Sequence, residues 1–322
     1  MKEFKKIKKF FSPLAKSRIN GTSLDNDAAL LELSSLKNLV VTTDTLVEKI
    51  HFGLTDNPYL IAKKLMRINL SDLAAMGSSP LAYLLNLALP KKVTDQWLGR
   101  FTLGLKEDQK KYNIFLAGGD TVATTGPIVL SLTAFGSNQK GLYHKRSGAK
   151  EGDFIFVSGT VGDSALGLVS IKKELKIPKK DREFLIQKYF LPEPRISLGE
   201  KLLTIASSAI DVSDGLAQDI NHICVSSGIG AQLFFSKLPI SSSAKLLLKN
   251  YPRFKKKILN GGDDYEIVFT ASSELEKKIE TLSKKTRIKI TKIGVMTRAK
   301  RFKILDHQNH EIKIKHLGYQ HF

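Results

Sequence analysis

The sequence predicts a two-domain protein of the α/β (α+β) class. Segments typical of strands alternate with segments typical of helices along the chain. The 322 residues are enough for two domains of roughly 150 residues each. A polar stretch with three glycines, at residues 141–153, separates the two halves. We therefore place one domain at residues 1–145 and the other at residues 146–322.

In the first half, five short apolar runs predict strands, at residues 28–33, 39–43, 81–89, 114–117 and 128–135. The third of these runs also fits a short helix. A longer helix is predicted to begin at Asn57 and Pro58, because asparagine caps helices and proline suits their first position, and to run through residue 76 to a stop at Gly77. A second helix is predicted at residues 94–111. The glycine-rich motif GGD at 118–120 is expected to end the fourth strand.

The second half shows the same mixture. Strands are predicted at residues 154–157, 231–235, 265–270 and 287–295. Helices are predicted at residues 162–173, 181–190, 194–208 and 214–226. We therefore assign this half to the α/β class as well.

The composition narrows the class of protein. The hydrophobic fraction of 42% is ordinary for a globular chain, and no apolar run reaches the roughly 18 residues of a membrane helix. One cysteine, Cys224, excludes an internal disulfide framework and a cysteine-based zinc cluster. It also fits a reducing compartment, so we expect a cytoplasmic protein that does not bind a membrane. The basic first residues lack the apolar length and cleavage site of a signal peptide.

The net charge is +20, from 51 basic and 31 acidic residues. Such an excess first suggests nucleic acid, an anionic membrane or a phosphorylated substrate, and does not choose among them. A lysine-rich excess is also typical of a solvated surface. A basic nucleic-acid-binding protein is therefore the alternative from another class. It has no zinc-finger, basic-zipper or RRM-type signature to support it.

The familiar phosphate-binding and catalytic motifs are absent from the sequence. Nothing matches the Walker A pattern, and no Rossmann glycine motif follows a predicted strand. The zinc-protease, nucleophile-elbow and protein-kinase signatures are also missing. Any phosphate chemistry must use another arrangement.

A dispersed set of aspartates stands beside apolar segments, most with small neighbours. The set consists of Asp27, Asp44, Asp72, Asp120, Asp211, Asp214, Asp263 and Asp264. Magnesium prefers hard oxygen ligands and is usually shared with phosphate oxygens. Aspartate is also common in turns and helix caps, which is the alternative for each single residue. The repeated pattern favours a magnesium–nucleotide site.

Asp72 is the sharpest single case. Leu65, Ile68, Asp72 and Met76 follow helical spacing, which predicts one apolar stripe. A carboxylate there would be half-buried and costly without a partner. The partner is either a metal cation or a Lys or Arg in a structural ion pair.

Two glycine pairs, at residues 118–119 and 261–262, precede aspartates. Glycine lets backbone amides approach a ligand closely, although such a pair often marks only a tight turn. Ser213 opens the sequence SDG at the start of a predicted helix, whose free N–H groups attract anions. These segments are candidates for phosphate contacts.

Three further residues are candidates with ordinary alternatives. Arg146 could clamp a phosphate, or could be a surface arginine. His51, in an apolar run, is more often a satisfied core residue than a catalyst. Tyr319 lies in an aromatic terminal segment that could dock into a site or pack on the domain's own core.

These residues together resemble the thiamine-monophosphate kinase family over nearly the whole chain. The motifs that carry the resemblance, in chain order, are Glu3-Phe4, TTDTLVEKIHF, NLSDLAAMG, LAGGDT, KRSGAKEGD, VSGTVGDSALGL, LPEPR, AIDVSDGLAQD, GGDDYE and GYQHF. The wider superfamily, which includes aminoimidazole ribonucleotide synthetase, shares several of them in general form. That enzyme is the closest alternative activity.

The resemblance implies phosphorylation of thiamine monophosphate by ATP, with several Mg²⁺ ions, in a homodimer that binds no nucleic acid. It implies an N-terminal domain that forms a barrel-like sheet with its partner, and a C-terminal α/β domain. It assigns metal binding to Asp27, Thr42, Thr43, Asp44, Asp72, Asp120, Asp211 and Asp214. It assigns ATP contacts to Gly119, Asp120, Arg146 and Ser213. It places His51, Asp263 and Tyr319 near the thiamine moiety.

The same resemblance implies direct transfer without a catalytic acid or base, because the acceptor phosphate is already ionised near neutral pH. Two positions depart from the family pattern. The family commonly has G-x-G-D-D where this chain has SLDND at 23–27, so Asn26 offers an oxygen without charge. The family often has Glu where this chain has the shorter Asp263, so a direct substrate contact could become water-mediated.

Overall fold

The computed structural model describes residues 9, 13, 37–139, 141–172 and 175–319. Asp27, the predicted strand at 28–33, Glu3-Phe4 and the last three residues of GYQHF lie outside this part of the chain. The described residues separate into two compact units. The first contains the described residues up to Leu73 and those within Ser78–Leu142, and the second contains Ala74–Gly77 and the described residues from Tyr143 onward. The domain limits at 1–145 and 146–322 stay a prediction.

The first unit is built from four strands and two helices within the described residues. The strands are β1 (Lys37–Val47), β2 (Ser79–Pro90), β3 (Phe115–Thr124) and β4 (Val129–Gln139). The helices are α1 (Pro58–Ala75), whose last two residues belong to the second unit, and α2 (Asp95–Tyr112). The predicted strands at 39–43, 81–89 and 128–135 and both predicted helices are confirmed.

The four described strands form one sheet in the order β1-β4-β2-β3. β4 runs antiparallel to both β1 and β2, while β2 and β3 are parallel. One face carries buried residues such as Leu85, Leu130 and Leu132. Among the described residues the sheet is open, so a barrel-like closure of this domain is not seen within the single chain.

Local signals explain both helices. Asn57 Oδ1 accepts the N–H of Tyr59 at 3.1 Å, as expected of a helix cap. Thr94 Oγ1 accepts the N–H of Trp97 at 3.1 Å and caps α2 in the same way. Gly77, beyond the end of α1, has a positive φ of 67°, which glycine adopts without steric cost.

A buried ion pair joins α1 to α2. The Arg67 guanidinium donates to both oxygens of Asp108, with Nε to Oδ2 at 2.7 Å and Nη2 to Oδ1 at 3.0 Å. Both side chains are buried, and Lys63 Nζ lies 3.7 Å from Asp108 Oδ1. Because burial removes the water that would solvate these charges, each charge depends on its partners.

The second unit contains the remaining elements of the described chain. Its strands are β5 (Phe154–Ser158), β6 (Ser208–Asp211), β7 (Gly230–Phe234), β8 (Ile267–Ala271), β9 (Ile290–Thr297) and β10 (Phe302–Leu305). Its helices are α3 (Asp163–Lys172), α4 (Lys179–Phe190), α5 (Ile196–Leu202), α6 (Leu216–Ser227), α7 (Ser242–Asn250), α8 (Lys257–Asn260) and α9 (Glu276–Thr286).

The described strands of this unit form one mixed sheet in the order β10-β7-β9-β5-β8-β6. One hydrophobic cluster contains Leu166 of α3 and Ile220 of α6. A second cluster contains Leu198 of α5 and Ile279 of α9. Because β6 and β8 are antiparallel, the end of β6 at Asp211 lies beside the start of β8 at Ile267. The acidic segment that follows β6 and the one that precedes β8 therefore lie at the same edge of the sheet.

Two predictions about elements are wrong. The motif GGD does not end a strand, because β3 continues through it to Thr124 and pairs with β2 there. The helix predicted at 194–208 ends at Leu202, and Ser208 instead begins β6 by pairing with Thr270. Pairing with a distant strand overrides the local pattern in both cases. Among the helices of the described chain, none has the length and apolar character needed to cross a membrane.

We expect Asp108→Ala to lower the free energy of unfolding by about 3–5 kcal/mol, because the buried Arg67 charge loses its main partner. Urea denaturation followed by circular dichroism measures this loss. The control is Glu107→Ala, since the neighbouring Glu107 side chain is 49% exposed and its ion pair with Lys63 is screened by water. Equal losses for the two variants would contradict the role of the buried pair.

Candidate active site

Three of the predicted magnesium ligands meet in the first unit. Thr42 and Asp44 are two residues apart on β1, so their side chains project from the same face of the sheet. Thr42 Oγ1 donates to Asp72 Oδ2 of α1 at 2.5 Å. The Asp44 and Asp72 carboxyl groups are hydrogen-bonded to each other. β1 and α1 therefore bring two carboxyl groups and a hydroxyl together.

The closeness of the two carboxyl groups has an electrostatic consequence. Burial and the neighbouring Asp72 carboxylate raise the pKa of Asp44 from 3.8 to about 7. Two carboxylates at hydrogen-bonding distance repel each other, so a proton shared between them is favoured when no cation is bound. Asp72 is half-buried, as the sequence predicts.

This donor set fits a magnesium ion. Carboxylate and hydroxyl oxygens are the hard ligands that Mg²⁺ prefers. A divalent cation also neutralises the repulsion that otherwise keeps a proton on the pair. Thr42, Asp44 and Asp72 thus have both the chemistry and the mutual approach that a metal site requires.

The structure does not bring the side chains of Thr43 and Asp120 to this cluster. Thr43 projects from the opposite face of β1, where its Oγ1 donates to the carbonyl of Leu132 at 3.2 Å. Asp120 is exposed on β3, and its N–H donates to Asn86 Oδ1 at 3.0 Å. β3 lies three strand spacings from β1, roughly 14 Å, so strand pairing does not place Asp120 beside Asp44.

Gly119 is required by the sheet itself. Its φ is 152°, and a Cβ atom at this position would lie 1.9 Å from the carbonyl oxygen of Leu85 on β2. The neighbouring Gly118 meets only the side chain of Leu84, at 3.4 Å. The sequence predicts a close main-chain approach at this glycine pair. In the structure Gly119 makes that approach, and its partner is the main chain of β2.

The loop that carries His51 is held by a residue that the sequence analysis missed. Glu48 is buried, accepts the N–H of Ile128 at 3.0 Å and pairs with Lys92 Nζ at 2.9 Å. Burial opposes ionisation, but these two donors keep the pKa of Glu48 below its ordinary value. His51 Nδ1 accepts the N–H of Val47 at 3.0 Å. The sequence signal that could have identified Glu48 is its position within an apolar run.

A second acidic group lies at the start of α6 in the second unit. Asp214, Asp219 and His222 each offer a ligand atom, and these atoms lie within 4.8 Å of one another. The sequence singled out Asp214 alone. Asp219 and His222 are three residues apart on α6, and that helical spacing would have indicated them.

Burial, followed by Asp211 and Asp214, raises the pKa of Asp219 well above its ordinary value. The N–H of Gly215, which donates to Asp219 Oδ2 at 3.1 Å, opposes this shift. The exposed Arg146 opposes it as well, which places a positive charge near the acidic group. The charges of Asp211, Asp214 and Arg146 therefore all act on Asp219.

The segment 261–265, called here the acidic turn, docks on residues 212–215, called here the Asp214 loop. The N–H of Asp263 donates to the carbonyl of Ser213 at 2.8 Å, and that of Tyr265 donates to Val212 at 2.9 Å. At Gly262, with φ of 70°, a Cβ atom would lie 2.4 Å from the Ser213 carbonyl oxygen. This close approach brings Asp263 beside Ser213 and Asp214.

The next two acidic residues have structural partners. Asp264 accepts the N–H of Gly162 at 2.6 Å and that of Ser164 at 3.2 Å, at the start of α3. Burial raises the pKa of Asp264, and these two N–H groups oppose the shift. Glu266 is buried in a bidentate pair with Arg195, at 2.6 Å for both contacts. Asp264 therefore has the helix-capping role that the sequence left open.

Tyr319 also reaches the Asp214 loop. Its N–H donates to the carbonyl oxygen of Asp214 at 2.9 Å. The residue is 51% exposed, so it does not simply pack into the core. In the second unit, Asp211, Ser213, Asp214, Asp263 and Tyr319 thus gather on or beside one loop, with Arg146 close enough to act on it electrostatically.

Two family models match the chain. One is the AIR synthase related protein, N-terminal domain, over residues 25–137, and the other is the AIR synthase related protein, C-terminal domain, over residues 150–307. The class of protein that the fold and the site define is thus that of the AIR synthase related proteins.

Individual relatives narrow this class. The chain is 37% identical over 325 residues to the thiamine-monophosphate kinase of Buchnera aphidicola subsp. Acyrthosiphon pisum (strain APS), with 99% of this chain and 98% of the relative covered. The chain belongs to the thiamine-monophosphate kinase family.

Solved structures agree with this assignment. The thiamine-monophosphate kinase from Stenotrophomonas maltophilia K279a superposes with a TM-score of 0.82 and 35% identity, covering 88% of this chain and 90% of that one. AaThiL complexed with AMPPCP and TMP has a TM-score of 0.78 and 30% identity, covering 91% of this chain and 89% of that one. The mixed architecture of both units is therefore that of known members.

We expect Gly119→Ala to destabilise the first unit strongly. A positive φ costs about 1–3 kcal/mol for a residue with a Cβ atom, and the contact with the Leu85 carbonyl adds to this cost. Thermal unfolding measures the effect. Gly118→Ala is the matched control, because a Cβ atom there has room. Similar melting temperatures for the two variants would show that the sheet does not require glycine at 119.

Proposed function

We propose that the protein phosphorylates thiamine monophosphate with ATP to give thiamine diphosphate and ADP. An oxygen of the acceptor phosphate attacks the γ-phosphorus of ATP in line, a new P–O bond forms, and the bond to the oxygen of the departing ADP breaks. The substrate assignment is supported by identity to thiamine-monophosphate kinases over nearly the whole chain. It is further supported by a structural neighbour complexed with AMPPCP, an ATP analogue, and TMP.

One structural observation carries the chemistry, namely the contact among Thr42, Asp44 and Asp72. Phosphoryl transfer needs positioning and charge neutralisation more than covalent catalysis. A carboxylate pair whose repulsion a cation would offset suits this need. Thr42, Asp44 and Asp72 would hold such a cation, which would supply charge neutralisation for the phosphates.

Several magnesium ions belong to the proposal. The residues that would hold them are Asp27, Thr42, Thr43, Asp44, Asp72 and Asp120 in the N-terminal domain and Asp211 and Asp214 in the C-terminal domain. When bound, such ions neutralise phosphate charge and align the transferred group. The side chain of Thr43 faces away from that of Asp44, so Thr43 has the weakest support in this set from the structure.

The other proposed roles concern the two substrates. Gly119, Asp120, Arg146 and Ser213 contact ATP in this proposal, and Arg146 supplies the positive charge for a phosphate. His51, Asp263 and Tyr319 contact thiamine monophosphate. No side chain acts as general acid or base, because the attacking oxygen belongs to a phosphate that is already ionised.

A homodimer in which two N-terminal sheets form a barrel-like structure is also part of the proposal. Leu39 and Val41 of β1 are 45% and 52% exposed, and Val122 of β3 is 50% exposed. Apolar side chains exposed together on a sheet are typical of an interaction surface. A cytoplasmic location completes the proposal, supported by a single free cysteine, Cys224.

We expect the purified protein to form thiamine diphosphate from ATP, Mg²⁺ and thiamine monophosphate, as resolved by chromatography of the thiamine phosphates. Chelation of Mg²⁺ by EDTA is expected to stop the reaction, because the phosphate charges are then not neutralised. Absence of thiamine diphosphate from a folded preparation with Mg²⁺ present would overturn the proposed function.

We expect Asp44→Asn and Asp72→Asn each to lower kcat at least about 100-fold, because a removed carboxylate weakens metal-assisted charge stabilisation. The fold should persist, since the amide relieves carboxylate repulsion. Mg²⁺ is expected to raise the melting temperature of the wild-type protein but not of these variants. The control is Asp95→Asn, an exposed carboxylate at the start of α2. Wild-type rates and Mg²⁺ shifts in both site variants would refute the metal role.

A further inference from the structure

The residues 316–319 form a segment that two hydrogen bonds hold against the acidic site of the second unit. Asn260 Nδ2 donates to the carbonyl oxygen of His316 at 3.0 Å. The N–H of Tyr319 donates to the carbonyl oxygen of Asp214 at 2.9 Å. The segment has no regular helix or strand, so these contacts must offset the entropy lost when it is ordered.

Packing between the two hydrogen bonds is close. A Cβ atom at Gly318 would lie 2.6 Å from Gln218 Cβ and 2.8 Å from the Asp214 carbonyl oxygen. Leu317 is partly buried against the main hydrophobic cluster of this unit. The main chain of the segment is therefore fixed in place, while Tyr319 remains half exposed.

Asn260 adjoins or contacts three segments of the candidate site. It ends α8 and directly precedes the acidic turn that carries Asp263. Its Cα and carbonyl carbon lie 3.0 and 2.9 Å from the position of a Cβ atom on Gly215, in the Asp214 loop. Its side chain holds the 316–319 segment. Asn260 thus contacts or adjoins the three segments that carry Asp263, Asp214 and Tyr319, and it helps to fix their relative positions.

The hydrogen bond fixes the orientation of the Asn260 amide. A main-chain carbonyl can only accept, so the atom facing His316 must be the NH₂ group. The buried Oδ1 meets no donor among the residues that the structure describes. The contact with His316 therefore requires the N–H donor of the asparagine amide. Aspartate has the same size, but its carboxylate has no donor.

We propose that Asn260 is a positioning residue that holds Tyr319 beside Asp214 and thereby sets affinity for the acceptor substrate, but not for ATP. This inference rests on the proposed function, in which Tyr319 contacts thiamine monophosphate. A half-exposed aromatic ring on a fixed main chain offers a surface for an aromatic, cationic heterocycle such as a thiazolium. Asn260 acts on that surface through the 316–319 segment.

The test is Asn260→Asp in the full chain, with KM and kcat measured separately for thiamine monophosphate and for ATP. The variant places two oxygens against each other where a hydrogen bond was. KM for thiamine monophosphate is expected to rise about tenfold, as for the loss of one hydrogen bond with an unsatisfied partner. KM for ATP is expected to stay within about twofold.

The matched control is Asn250→Asp. Asn250 Nδ2 also donates to a main-chain carbonyl, that of Lys176, at 3.2 Å, away from the 316–319 segment. Both KM values are expected to match the wild type. A rise for thiamine monophosphate in this control equal to that of Asn260→Asp would overturn the inference, because the effect would then not depend on the segment.

A double-mutant cycle separates positioning from general stability. If Asn260 acts through Tyr319, adding Asn260→Asp to Tyr319→Ala should raise KM for thiamine monophosphate little further. A full additional tenfold rise would overturn the inference, as would equal rises in both KM values or no change at all. Should Asn260→Asp fail to fold, Gly318→Ala is the second test, because its Cβ atom would displace the 316–319 segment. The same selective rise in KM for thiamine monophosphate is then expected, and its absence would overturn the inference.

Failure of this inference and failure of the proposed function give different results. Wild-type protein that makes no thiamine diphosphate overturns the proposed function and the inference together. Active wild-type protein with an unselective Asn260→Asp variant overturns the inference only.

Discussion

Repulsion between carboxylates held close together is the constraint on which both units depend. In the first unit Asp44 and Asp72 share a hydrogen bond, and Thr42 adds a hydroxyl donor. In the second unit Asp211 and Asp214 lie near the buried Asp219. Such groups stay together only when protons, cations or hydrogen-bond donors offset their repulsion. A cation that accompanies a phosphorylated substrate would also offset the repulsion between these carboxylates. This property connects the arrangement to the proposed phosphoryl transfer.

The scaffold holds these groups by contacts that leave little freedom. The Arg67–Asp108 pair joins α1, which carries Asp72, to α2. Main-chain hydrogen bonds and Gly262 dock the acidic turn on the Asp214 loop. The net charge of +20 takes on a different meaning beside these groups. It describes a lysine-rich chain whose site is acidic, and at most it raises the local concentration of anionic substrates.

Local patterns predicted much of the fold. The Asn57 and Thr94 caps, the helices they begin and the strands at 39–43, 81–89 and 128–135 depend on neighbouring residues. The candidate site aspartates were predicted from their motifs, and the structure brings two of them, Asp44 and Asp72, together. Glu48, Asp219 and Asn260 were missed, because their importance arises from Ile128, Gly215 and His316. Two of these three partners are more than fifty residues away in the chain.

The sequence by itself therefore determined the α/β class, most of the elements and the family, because periodicity, capping and motif order are properties of neighbouring residues. Only the tertiary structure decided that β3 runs through Gly119, that Ser208 begins β6 and that Asp264 caps α3. It also decided that the main chain of Tyr319 is bonded to Asp214. Each of these depends on main-chain groups whose partners lie elsewhere in the fold. A buried N–H must donate to, and a buried C=O must accept from, whichever partner the packing brings near.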